Sequence, residues 1–363
     1  MIGINKSLYD HYLANTEKYE IYDQVLVQKF IGFGAGTENY EDRKTLAILL
    51  VQKIFEPHSK QMMGNYLETL AHVESRVKDL YYNARDHVIH AVITYLLGIY
   101  LSDLLSLEIH TFEWKLAALL HDIGYPIEQG FGRPVEEEIN KFIELNEVDS
   151  PRVDFNRKLR NLERLTGNRN SCTLITSTLH KWGFSLSTSQ FLKKAPKPRL
   201  DHGAASALIV TKCLDCMYAK HNPKRSAFKS ESKRFWSYKN FTTYIINAAG
   251  SIFLHNLELS TVGRSFNKNE HPLAFLLKLS DELQDWERIN QDEQYFSASH
   301  YAIEFDETSN IFKVYAPGER VMRLKSALMA FEDIEFQVLQ IATSLECQPA
   351  ATAVSADAPP LAP

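Results

Sequence analysis

Apolar residues along the chain recur at helical intervals far more often than they alternate. Over residues 1–80, clusters such as Leu46, Leu49, Leu50 and Ile54 predict several helices and no strand. Residues 84–104 read as a helix apolar on nearly every side, hence central. Its most apolar part, 88–101, is interrupted by His90, Thr94 and Gly98 and falls short of the roughly 18 apolar residues of a membrane span, so a buried helix is expected. A second helix over 112–123 is stopped by Gly124 and Pro126. Further helices are predicted over 201–217 behind a capping Asp201, over 244–257, and from His271 and Pro272 to about 289. The texture then changes. Residues 301–305 and 311–315 are short β-like runs around a polar turn, predicting a hairpin, and a helix is expected over 321–344. The Ala- and Pro-rich end, 348–363, is expected to be disordered. The fold class is therefore all-α with a small C-terminal β-hairpin and helix, and no internal repeat is visible.

Composition narrows the class. The chain has 363 residues, 45% hydrophobic and 23% charged, which excludes collagen-like, coiled-coil and mainly disordered chains and is enough for a sizeable core. Its four cysteines are too few and too scattered for a disulfide scaffold, and residues 1–10 show no signal segment, so a reducing cytoplasm and no membrane partner are expected. The net charge of -5 hides an asymmetry. Residues 151–200 carry 11 Lys or Arg against two acids (net +9), and 217–240 carry seven against one (net +6), so the rest of the chain carries -20. Such segments are either solvated loops or an anion-attracting rim, depending on what they flank.

The informative histidines are those on apolar helices, because a buried imidazole needs a partner. His90 lies inside the central helix. His121 and Asp122 end the run Ala-Leu-Leu-His-Asp-Ile-Gly, His202 opens a helix in Asp-His-Gly-Ala-Ala-Ser-Ala, and His255 ends one in Ser-Ile-Phe-Leu-His-Asn. Asp281 stands in Leu-Leu-Lys-Leu-Ser-Asp-Glu-Leu, where a carboxylate is costly unless paired or bound to a cation. Five predicted helices thus each bring a histidine or aspartate, and facing helices are where all-α proteins build metal sites.

The order His90, His121-Asp122, Asp281 resembles the HD superfamily of metal-dependent phosphohydrolases. The resemblance covers about residues 84–290 and implies an HD-type helical domain with His90, His121, Asp122 and Asp281 as metal ligands. His-Asp-Ile-Gly-Tyr-Pro is similar to the matching segment of deoxynucleoside triphosphate hydrolases, with Tyr125 where those often carry histidine. Some cyclic dinucleotide phosphodiesterases have lysine there, which argues against that subgroup. Members with two metals carry two further histidines; His202 and His255 fit by helix placement, and His180 competes with His202 but sits at an apparent loop. Two divalent ions on four neutral imidazoles and two carboxylates leave a formal +2, which attracts phosphate. One ion on the first four ligands leaves neutrality and frees His202 and His255. Mixed nitrogen and oxygen ligation suits Mn, Fe, Co, Ni or Zn, as one or two ions.

Around this set, Asp122, His87 and Glu128 are the candidate catalytic residues, with Asp122 placed to touch both metals. His87 shares a helix face with His90, so it either contacts a leaving oxygen or hydrogen-bonds in the core; Glu128 is either an acid-base group or a solvated glutamate. Arg85 and Lys278 are candidate substrate-binding cations. Asp285 and Arg288 read as a surface pair, and Cys213 with Cys216 as core packing. The expected organisation is an N-terminal helical region (1–80), an HD-type catalytic domain (81–295) with basic insertions at 129–200 and 217–240, a hairpin-and-helix unit (296–347) and the tail. The expected partner is a nucleotide or other phosphorylated small molecule, hydrolysed at a phosphate ester or anhydride. Two alternatives carry the same residues: a dinuclear-iron oxygenase on this scaffold, which the +15 of the two basic segments disfavours, and a non-catalytic nucleotide or oligonucleotide binding module. Phe228, Phe235, Trp236 and Tyr238 among basic residues would suit base stacking in the latter.

Overall fold

The structure, a computed structural model, describes residues 3–32, 40–55, 87–157, 159–194, 200–220, 238–284 and 301–341. It is mainly helical with a small C-terminal sheet. The helices that matter for the site are α1 (His87–Leu104), α2 (Thr111–Leu120), the single turn α3 (Tyr125–Glu128), α4 (His202–Lys220), α5 (Ile246–His255) and α6 (Pro272–Leu283). Helix α5 is the hub, packed against α2, α4 and α6, while α1 packs on α2 and α6. The boundaries follow local chemistry. Asp201 caps α4, its Oδ1 accepting the Ala204 N–H at 2.9 Å. Pro272 occupies the first turn of α6, where its missing N–H costs nothing. Helix α5 is preceded by a π turn, Phe241–Ile245, so it begins two residues later than the apolar period suggests.

Helix α1 is the one described helix long and apolar enough to cross a membrane by length and composition, yet it is mostly buried within the protein. Val88, Val92, Tyr95, Leu97 and Leu101 are all closed to solvent. N-terminal helices Ile4–Ala14 and Tyr40–Phe55 pack on it, and the buried Lys115 ties this layer to α2 by pairing with Glu20 and donating to the Ile54 carbonyl at 2.8 Å.

At the C-terminus, β1 (Ala302–Asp306) and β2 (Ile311–Ala316) form the expected antiparallel hairpin, with Ile303 opposite Val314. The helix expected over 321–344 is instead a shorter helix, Gly318–Leu328, followed by β3 (Glu335–Gln340) parallel to β2. Ile334, Phe336 and Val338 alternate with polar residues, and Asp333 turns the chain at a left-handed φ of 67°, so a period of two replaces the helical period after residue 330. Phe266–Asn267 pairs with Phe331–Glu332 and fastens this unit to the helical body.

Glu113 on α2 is half-buried beside Asn247, whose Nδ2 donates to its Oε1 at 3.0 Å. Burial pushes its carboxyl up to about 7, Asn247 opposing only in part. Between the unfolded value near 4.5 and about 7 the native state holds a proton that the unfolded chain has released, so this group's contribution falls as pH rises through that window. Glu113→Gln keeps the amide contact and removes the charge. It is expected to raise stability at pH 8 by on the order of 1–3 kcal/mol and to change it little at pH 4.5, a difference read from denaturant unfolding at the two pH values. An equal effect at both would contradict the assignment.

Candidate metal centre

Seven of the residues singled out above converge at the meeting of α1, α2, α4, α5 and α6. Asp122 is at their centre. Its Oδ2 lies 3.7 Å from His87 Nε2, 3.7 Å from His90 Nε2 and 3.6 Å from His121 Nε2, and its Oδ1 lies 3.3 Å from His202 Nε2 and 3.4 Å from His255 Nε2. Asp281 Oδ1 closes the first group at 2.9 Å from His90 Nε2 and 4.0 Å from His121 Nε2. The two trios able to hold an ion, His90 with His121 and Asp122, and Asp122 with His202 and His255, share that one carboxylate.

The donor set fits a divalent ion on three counts. Ligands about 2.0–2.2 Å from one ion stand about 3.0–3.6 Å from one another, and His90 Nε2 and His121 Nε2 are 3.0 Å apart. Proton positions point the same way: His121 Nδ1 donates to the Ala118 carbonyl at 2.8 Å and His255 Nδ1 to the Ile252 carbonyl at 2.6 Å. A carbonyl only accepts, so each imidazole keeps its Nε2 lone pair for the site. Third, Asp122 Oδ1 and His255 Nε2 are buried with no hydrogen-bond partner, as donors awaiting a cation would be.

Ionisation is also suitable. Burial pushes His121 down to about 4 despite the nearby carboxylates, leaving it neutral. For Asp122 burial works the other way, but the surrounding histidines outweigh it and hold the carboxyl well below the usual range. His202 differs: burial disfavours its charge, yet the carboxylates of Asp122 and Glu128 push it up to about 10, so an ion at the second trio must displace a proton. On the outer side of His90, Nδ1 lies 2.8 Å from the Gln284 side-chain amide, whose other end meets Thr94. With its oxygen toward the ring, Gln284 accepts from Nδ1–H and frees Nε2 for a cation; reversed, it donates to Nδ1 and puts the proton on Nε2 beside Asp281. The reversed orientation also lets the Gln284 oxygen accept from Thr94 Oγ1 at 2.5 Å and from Thr94 N at 2.8 Å, so ligation of a cation by His90 Nε2 requires the amide to turn.

Two glycines set the helix spacing. A Cβ on Gly203 would stand 2.9 Å from the Ile252 carbonyl oxygen and 3.0 Å from the His255 ring, so α4 and α5 touch only because residue 203 has none. Gly124 does the same between α3 and α4, its N–H donating to Ser206 Oγ at 2.8 Å.

The remaining candidates fall as follows. His87 is buried at the site with its ring against Tyr125, 4.0 Å between centroids. Glu128, half-buried, faces His202 Nδ1 at 2.6 Å, so its carboxylate is engaged by a histidine of the second trio. Lys278, expected to meet phosphate, donates instead to the carbonyls of His255 at 2.9 Å and Leu257 at 3.3 Å, where a cation at the end of α5 fixes the turn that carries His255. Arg85, Asp285 and Arg288 lie outside the described residues. His180 is exposed and belongs to neither trio, and Cys213 and Cys216 are buried in α4. Tyr125, Gln284 and Thr94 belong to the site without having been singled out as its components. Their signal is weak: one tyrosine after a helix stop, and two uncharged polar residues in apolar helices.

Residues 164–169 of the first basic insertion are anchored away from the metal ligands. Asp215 accepts from Thr166 N at 2.7 Å and from Arg169 Nη2 at 2.9 Å, and Lys212 donates to the Arg164 carbonyl at 2.5 Å. These anchors are ten and thirteen residues beyond His202 on α4, about 15–20 Å along the axis from the metal ligands. Arg152 pairs with Glu144, and Arg157 with Asp154 at 3.4 Å. Residue 158, residues 195–199 and the aromatics Phe228, Phe235 and Trp236 lie outside the described residues, while Tyr238 lies under the Arg169 guanidinium at 3.5 Å.

Comparison of the chain with protein-family models, with curated proteins and with solved structures finds no match in any of the three.

Proposed function

We propose that the chain is a metal-dependent phosphohydrolase that cleaves a phosphate ester or anhydride of a nucleotide or related phosphorylated compound. The supporting observation is the shared carboxylate: one aspartate presents an oxygen to each of two histidine groups, with Asp281 completing the first. Held there, two divalent cations would neutralise phosphoryl charge and lower the pKa of water toward neutrality. The chain's own groups have separable tasks. Asp122, His90, His121 and Asp281 would hold the first cation, and His202 and His255 with Asp122 the second. His87 belongs to neither trio, and its Nε2 faces the bridging carboxylate. That places it to hand a proton to a departing oxygen, while the Tyr125 ring fixes its plane.

The test is a screen of nucleoside mono-, di- and triphosphates and cyclic nucleotides with the Mn- or Co-loaded chain, reading released phosphate, pyrophosphate or nucleotide. Metal-dependent turnover that disappears in Asp122→Ala is the expected result. Oxygen uptake by the iron-loaded chain without phosphate-ester cleavage would point to an oxygenase instead, and tight nucleotide binding without turnover to a binding module.

A further inference from the structure

The two trios are built differently. In the first, His90 and His121 are closed to solvent, Asp281 adds a fourth donor, and His121 is oriented by a carbonyl of its own helix. The second has three donors, and one of them, His202, stands on the first residue of α4 with its side chain 14% exposed. Among the described residues no backbone carbonyl orients that ring. Two side chains face its Nδ1: Glu128 Oε2 at 2.6 Å from the separate turn α3, and Asn256 Nδ2 at 3.4 Å. Their demands are opposite. An amide nitrogen only donates, so Asn256 alone would leave Nδ1 as acceptor and put the proton on Nε2, the atom aimed at Asp122. Glu128 accepts from Nδ1–H and turns the Nε2 lone pair toward the trio. Once an ion has displaced the Nε2 proton, the carboxylate keeps the remaining proton on Nδ1, the tautomer that can bind a cation.

Resting on the metal-centre reading, we propose that Glu128 is a positioning residue that converts the Asp122–His202–His255 trio into a second metal position and sets its affinity, so that the two positions fill in sequence, the buried one first. Asn256 serves the same corner differently: its Nδ2 donates to Asp201 Oδ2 at 2.7 Å, joining the end of α5 to the cap of α4. Glu128 is thus the one group of this corner whose loss changes a tautomer. A carboxylate behind a ligating histidine typically carries a factor of about 10–100 in metal affinity.

The experiment is a titration of the metal-free full chain with Co(II), followed by calorimetry and by visible absorption. The native chain is expected to take up two equivalents of unequal affinity. Glu128→Ala should weaken the second equivalent by about 10–100-fold and leave the affinity and spectrum of the first unchanged. Glu128→Gln, which still offers an accepting oxygen to Nδ1–H, should fall between them. An unchanged second equivalent in Glu128→Ala overturns the proposal, as does an equal loss of both, which would mark a general structural role. One equivalent in the native chain overturns it while leaving a one-metal hydrolase intact. No uptake by the native chain overturns the metal-centre reading itself.

Discussion

Asp122→Ala should abolish retention of metal at both trios and lower metal-dependent turnover by at least about 1,000-fold, or about 4 kcal/mol in the barrier. No other residue is expected to do both, because its two oxygens serve different histidine groups. Loss of Asp281 or His202 should instead reach one position directly. Unfolding provides a readout independent of turnover: an ion that binds only the native chain stabilises it by about 4 kcal/mol at 1,000 times its dissociation constant. The native chain should therefore melt higher with added Mn(II), and Asp122→Ala should not. Asp122→Asn, nearly the same size, separates loss of charge from loss of packing. A native-like metal-induced rise in Tm for Asp122→Ala would contradict the central role given to this carboxylate.

Gly124→Ala is expected to be nearly as damaging without touching a ligand. A Cβ there would meet the Ser206 amide nitrogen at 2.5 Å and the His202 carbonyl at 2.6 Å, backbone atoms that yield only if α4 shifts as a unit. Overpacking of this kind costs about 1–3 kcal/mol, and the shift carries His202 away from Asp122. The variant should unfold at lower denaturant with an unchanged slope and bind the second equivalent of metal poorly while the first remains. Normal binding of both equivalents would show that the α3–α4 contact does not set the geometry of the site.

How far the sequence reveals this depends on whether the deciding contact is local. Helices around His90, His121, His202, His255 and Asp281 are legible because each polar residue interrupts a long apolar period, and burial of such a residue demands a partner. The hairpin at 302–316 is legible from two short β-like runs around a turn. What the sequence hides is which polar group faces which. Glu128 lies 74 residues from His202, and Lys278 lies 23 residues from the His255 carbonyl it holds, so nothing in either neighbourhood announces the pairing. The same holds for Arg169, which meets Asp215 across 46 residues and holds that part of its basic segment away from the metal ligands. At the C-terminus the period misleads: the helical reading runs through a segment whose apolar residues alternate once Asp333 has turned the chain.

The most direct measurement is the metal content of the purified chain after loading with Mn(II) or Co(II) and removal of free ion by gel filtration. Two shared-carboxylate trios predict close to two ions per native chain and essentially none in Asp122→Ala. A native chain that retains no ion after exposure to micromolar metal, or retains as much in Asp122→Ala as in the native protein, would contradict the account.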